Sequence, residues 1–190
     1  MNQIRIALLL VAWLAGICSA IPAVASTSRK SSCPDVQLHS NFETSKYMGV
    51  WYEIQAMPSF FWTIKSCTKA NYNQTSPEVV EIESKGFDEA GDNATSSSKM
   101  TISKESTARM LTEFMQGITP PYQVLDTDYT SYACIHSCLA FGPIKNEFVW
   151  VYSRERTLEE AKVSKCRTIF SQYESVDIQA LTNTPQDNCI

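Results

Sequence analysis

From Met48 to Glu155 the chain is a series of short segments rich in Val, Ile, Thr, Phe, Tyr and Trp, separated by turn residues at fairly even spacing. The pattern predicts strands over 48–57, 67–75, 78–87, 97–104, 107–115, 121–126, 130–141 and 146–153, with Gly91-Asp92-Asn93 and Pro120-Pro121 as punctuation. Eight such strands predict an all-β fold, an antiparallel up-and-down barrel of the size that holds one small ligand. A helix is expected after the last strand, where Thr157 and Glu160 have the spacing of a capping box. Leu158, Ala161, Cys166, Ile169, Phe170 and Tyr173 give it one apolar face, which predicts packing against the outside of the barrel.

Strand parity indicates where that face goes. Phe148, Trp150 and Tyr152 share one side of the last strand and Val149 and Val151 the other, so the strand is covered on both sides. The aromatic side is assigned to the interior and the valines to the space under the helix. Cys134, His136 and Cys138 likewise share an outward face, and a cystine from Cys134 to Cys166 would fasten helix to barrel. Parity sends Thr68, Ala70 and Tyr72 inward and Asn73 outward, and it turns Met110, Thr112 and Phe114 inward if Glu113 is solvated. This interior, aromatic and apolar with scattered hydroxyls, suits a lipid-like or planar conjugated ligand better than a sugar or nucleotide. A filled, ligand-free core satisfies the same parity.

The ends and the charge narrow the setting. Arg5 precedes an apolar run from Ile6 to Ile17, too short to span a bilayer, which reads as a signal peptide over residues 1–25. Residues 26–190 then form one domain, expected to be secreted and soluble. Sixteen basic against twenty acidic residues give a formal charge of −4, or −5 without Arg5, which argues against nucleic acid as a partner. Without Cys18, six of the seven cysteines remain, an even set that suggests three disulfides in an exported chain. Their spacing offers no metal site, and no cofactor is expected. Asn73-Gln74-Thr75 and Asn93-Ala94-Thr95 are intact glycosylation sequons, the second placed in a polar loop.

Three strings, Gly49-Val50-Trp51-Tyr52-Glu53-Ile54, Thr127-Asp128-Tyr129 and Arg154, resemble the three signature regions of the lipocalins in order and separation. Cys33-Pro34, Lys46-Tyr47-Met48-Gly49, Ala70-Asn71-Tyr72 and Phe148-Val149-Trp150 sharpen the likeness toward the apolipoprotein D-like and insect bilin-binding branch. The resemblance implies a cup with a closed base, where Trp51 and Arg154 stack in a cation–π contact and touch no ligand. It also implies the pairings Cys33 with Cys138 and Cys67 with Cys189. It places Tyr122 on the cup wall and makes 59–64, with Phe60, Phe61 and Trp62, the entrance loop. Around Trp51 the apolar residues Val50, Tyr52, Ile54 and Ala56 run out of phase with it, which predicts a bend or bulge.

The function expected from this reading is a secreted carrier of a small hydrophobic ligand, such as a fatty acid, sterol, retinoid or bilin-like pigment. Tyr72, Phe114, Tyr122 and Trp150 are the candidate ligand contacts, and Phe60, Phe61 and Trp62 are candidates for capping the ligand or for transient membrane or lipoprotein contact. The alternative is a secreted scaffold acting by protein–protein interaction through its loops, with no essential ligand. An enzyme is not expected: the two histidines, His39 and His136, sit in no catalytic motif, and the six cysteines pair evenly. Haem ligation by His136 is disfavoured by its outward parity.

Overall fold

The computed structural model describes residues 32–113, 117–142 and 144–189; the predicted leader and Phe114 lie outside them. Eight antiparallel strands are β1 Gly49–Ala56, β2 Ser66–Ser76, β3 Val79–Phe87, β4 Asn93–Ile102, β5 Arg109–Thr112, β6 Pro121–Thr127, β7 Tyr132–Phe141 and β8 Ile144–Ser153. Each pairs with its chain neighbour, and β1 also pairs with β8, which closes the barrel. A single helical turn, α1 Thr44–Tyr47, precedes β1, and the helix α2 Glu160–Phe170 follows β8. A two-residue strand, β9 Thr182–Asn183, lies antiparallel to the end of β1.

Alternation along β8 divides the apolar residues into two layers. Trp150 and Tyr152 join the interior cluster with Tyr72, Met100, Met110 and Tyr122. Val149 and Val151 join a second cluster beneath the helix, with Cys134, Cys166, Phe170 and Leu181. The register shift between Glu53 and Gln55 is what lets β1 serve both layers. Trp51 and Ala56, five residues apart, both pack against the interior, while Ile54 packs against the outer cluster.

Local signals misplace some boundaries. β4 starts at Asn93 because Asn93–Ser96 pair with Phe87–Ser84, so Asn93 is an exposed strand residue, not part of a loop. The capping box does not form. α2 starts at Glu160 with no side-chain cap, Ser153 Oγ donates to the Thr157 carbonyl, and the Glu160 carboxylate accepts from Ser164. The buried face of the helix is Val163, Cys166 and Phe170, and Ala161 is exposed. Disulfides join Cys33 to Cys138, Cys67 to Cys189 and Cys134 to Cys166, the last tying β7 to α2.

Candidate functional site

One end of the barrel is closed by residues from all three signature strings. The Arg154 guanidinium lies 3.7 Å from the centre of the Trp51 ring, and Tyr47 stacks on that ring at 4.9 Å. Trp51 Nε1 donates to the Tyr47 carbonyl at 2.8 Å. Arg154 spends its donors on backbone: Nε on Tyr129 O at 2.9 Å, Nη1 on Val50 O at 2.8 Å, and Nη2 on Lys46 O and Tyr47 O at 3.2 Å each. Gly49, at φ +92°, makes the turn into β1 in a conformation that side-chain-bearing residues rarely adopt. Burial opposes ionisation of Asp128, but hydrogen bonds from Ser131, Tyr132 and Thr130 outweigh it and hold the carboxyl below its ordinary range. That capped loop fixes the Tyr129 carbonyl where Arg154 meets it.

Above this base lies a cavity of about 310 Å³. Tyr72 from β2, Tyr122 from β6 and Trp150 from β8 line it, with Ile82, Met100 and Tyr152. Trp62 folds from the 59–64 loop into the mouth, its ring 5.9 Å from those of both Phe148 and Trp150. Phe61 also lines the cavity, whereas Phe60 is 86 % exposed. Three of the four candidate contacts therefore meet around one space.

The phenols of that space satisfy one another. Tyr122 Oη is 2.7 Å from Tyr47 Oη and 3.0 Å from Tyr72 Oη, and Tyr152 bonds to Tyr72 in turn. Burial pushes all four phenols up, Tyr72 to about 12, so they stay neutral at physiological pH. The cavity therefore presents mainly the ring faces of these tyrosines, because their hydroxyls engage one another.

Sequence reasoning missed Glu53. It alternates with Tyr52 on the same side as Trp51, yet a carboxylate on a strand reads as solvent-facing. Its side chain lines the cavity and accepts from Thr184 Oγ1 at 2.6 Å. Burial pushes its carboxyl up from 4.5 to about 6, and the Thr184 bond only partly opposes this. The folded chain thus holds the Glu53 proton more tightly than the unfolded one. Glu53 therefore detracts from stability at neutral pH, and this penalty fades as pH falls through about 6 toward 4.5. Glu53→Gln is expected to stabilise by about 1–2 kcal/mol at pH 7.5 and negligibly at pH 4, read from urea unfolding at the two pH values.

On the outward face, His136 is packed rather than placed beside the cavity. This side chain is fully buried, with Nδ1 3.0 Å from Gln123 Oε1 and Nε2 2.8 Å from Glu147 Oε1. Asn73 and Asn93 are both exposed on the outer surface. Among the described residues no group of three or more acidic, histidine or cysteine side chains is arranged to hold a metal ion.

Comparison with known proteins gives a consistent assignment. A family model described as a lipocalin-like domain matches residues 42–186. Apolipoprotein D of Mus musculus is 29% identical over 185 residues, covering 96% of each chain. The solved structure of apocrustacyanin C1 superposes with a TM-score of 0.69 at 25% identity, over 77% of this chain and 82% of that one. Insecticyanin from the tobacco hornworm Manduca sexta gives 0.66 at 22% identity, over 80% and 85%.

Proposed function

Because this chain belongs to the lipocalin-like family, we propose that it is a secreted carrier that binds one small hydrophobic molecule in the barrel cavity. The observation that carries the reading is the cavity itself: an interior walled by Tyr72, Tyr122, Trp150, Ile82 and Met100, closed at one end by Trp51 and Arg154 and open at the other. A solid core was the rival packing, and about 310 Å³ falls within the range of small-molecule sites. Tyr72, Tyr122 and Trp150 are the proposed contacts, and Phe114, outside the described residues, is kept as a fourth on the alternation of the sequence alone.

Trp150 supplies the test. Its indole lines the cavity between Trp62 and Phe148, so a bound apolar ligand is expected to quench tryptophan fluorescence. Trp150→Ala removes apolar contact area and should weaken binding by about 1–3 kcal/mol, read as a shift in Kd by titration. Unchanged affinity would place the ligand elsewhere.

The extracellular setting rests on the leader pattern and on three disulfides, which persist in oxidising compartments. N-glycans are proposed at Asn73 and Asn93, both exposed and both within intact sequons. Glycosidase treatment of secreted protein should lower its mass in two steps, and substitution of either asparagine should remove one. Phe60, exposed beside the cavity-lining Phe61, is the proposed point of transient membrane or lipoprotein contact.

A further inference from the structure

One wall of the cavity is polar and unfinished. β1 and β2 pair from Gly49–Tyr72 to Tyr52–Lys69 and then part. Glu53 and Thr68 would be the next pair in that register. Instead Gln186 Nε2 donates to the carbonyls of both at 2.9 Å, so the C-terminal segment bridges the gap between the strands. Both side chains line the cavity. Thr68 is 8 % exposed, and its hydroxyl is buried without a hydrogen-bond partner among the described residues. Glu53 Oε1 is held by Thr184, while Oε2 has no hydrogen bond among the described residues. A hydroxyl buried without a partner costs stability, and a ligand group that pairs with it and with the open Glu53 oxygen on the same cavity wall recovers that cost.

We propose that Glu53 and Thr68 form a recognition site for a hydroxyl group on the apolar ligand, an inference that rests on the carrier reading above. The ligand O–H donates to Glu53 Oε2, and its oxygen accepts from the Thr68 hydroxyl. An alcohol does both, an ether only the second, and a carboxylate inserted at this end would meet the Glu53 charge without a proton to offer. At pH 7.5 Glu53, with its carboxyl at about 6, is mainly ionised and is a strong acceptor. The titratable groups facing it, Tyr72 from β2 and Tyr152 from β8, are held above their ordinary range and stay neutral. No salt bridge to Glu53 forms among the described residues.

Retinol and retinyl methyl ether, which differ by replacement of the hydroxyl proton with a methyl group, test the site by fluorescence titration of the disulfide-bonded protein at pH 7.5. Wild type is expected to bind retinol about tenfold or more tightly than the ether, the worth of one hydrogen bond to a charged group. Glu53→Met, similar in shape but without an acceptor, should bring the two affinities within about threefold. Thr68→Val should weaken both compounds alike. Equal affinities in the wild type, or a preference that survives Glu53→Met with the circular dichroism unchanged, overturn the proposal. If Glu53→Met does not fold, lowering the wild-type protein from pH 7.5 to pH 5 replaces it: the preference should shrink as Glu53 gains a proton, and an unchanged preference overturns the site. If neither compound binds the folded wild type, it is the carrier reading that fails, and this site with it.

Discussion

Trp51→Ala is expected to cost about 3–5 kcal/mol of folding free energy, the range for removing a large buried aromatic. The indole is fully buried, and three kinds of contact depend on it: the Arg154 guanidinium at 3.7 Å, the stacked Tyr47 ring and the Nε1 bond to the Tyr47 carbonyl. Its loss leaves a void at the closed base and removes the face on which Arg154 is oriented. The effect should be one of stability first. Thermal denaturation is expected to show a large fall in Tm, while ligand affinity measured well below that Tm changes little. A loss of affinity at unchanged Tm would instead put Trp51 on the cavity side of the base.

Replacing Cys67 and Cys189 together by alanine is expected to be comparably damaging. This bridge closes a loop of 122 residues, for which the chain-entropy account gives about 4–5 kcal/mol as an upper value. It also anchors the segment that spans the β1–β2 gap, where Cys67 N donates to Pro185 O, Gln186 Nε2 bonds to both strands and Thr184 holds Glu53. Urea unfolding of the double variant should show a lowered midpoint. The Cys134–Cys166 bridge closes only 32 residues, so the same substitution there is expected to remove less loop entropy.

How legible the barrel was in the sequence varied with the kind of signal. β8 declared both of its faces because Phe148, Trp150 and Tyr152 alternate with Val149 and Val151, and both sides are buried. Tyr72 followed from the same two-residue period. Tyr47 escaped this reasoning, since it enters the core from a single helical turn with no period to read. β9 is two exposed residues long and carries no apolar pattern. Thr157 shows how a local motif yields to tertiary contact: its sequence favours a cap, but its carbonyl is taken by Ser153 and the helix starts three residues later. Glu53 was hidden by the rule that usually works, that charged residues on strands face water. Its alternation with Trp51 points it inward, and where β1 parts from β2 the C-terminal segment holds its carboxylate through Thr184.

The scaffold alternative, in which the loops act and the cavity is incidental, makes no prediction about the interior. The carrier reading does, and equilibrium titration of the folded, disulfide-bonded chain with retinoids, fatty acids, sterols and bilins is its most direct test. Saturable quenching of tryptophan fluorescence at one ligand per chain, at micromolar concentrations and for at least one of these classes, is the predicted result. Failure of all four classes to bind, with the β-sheet circular dichroism intact, would contradict it and leave the scaffold reading in its place.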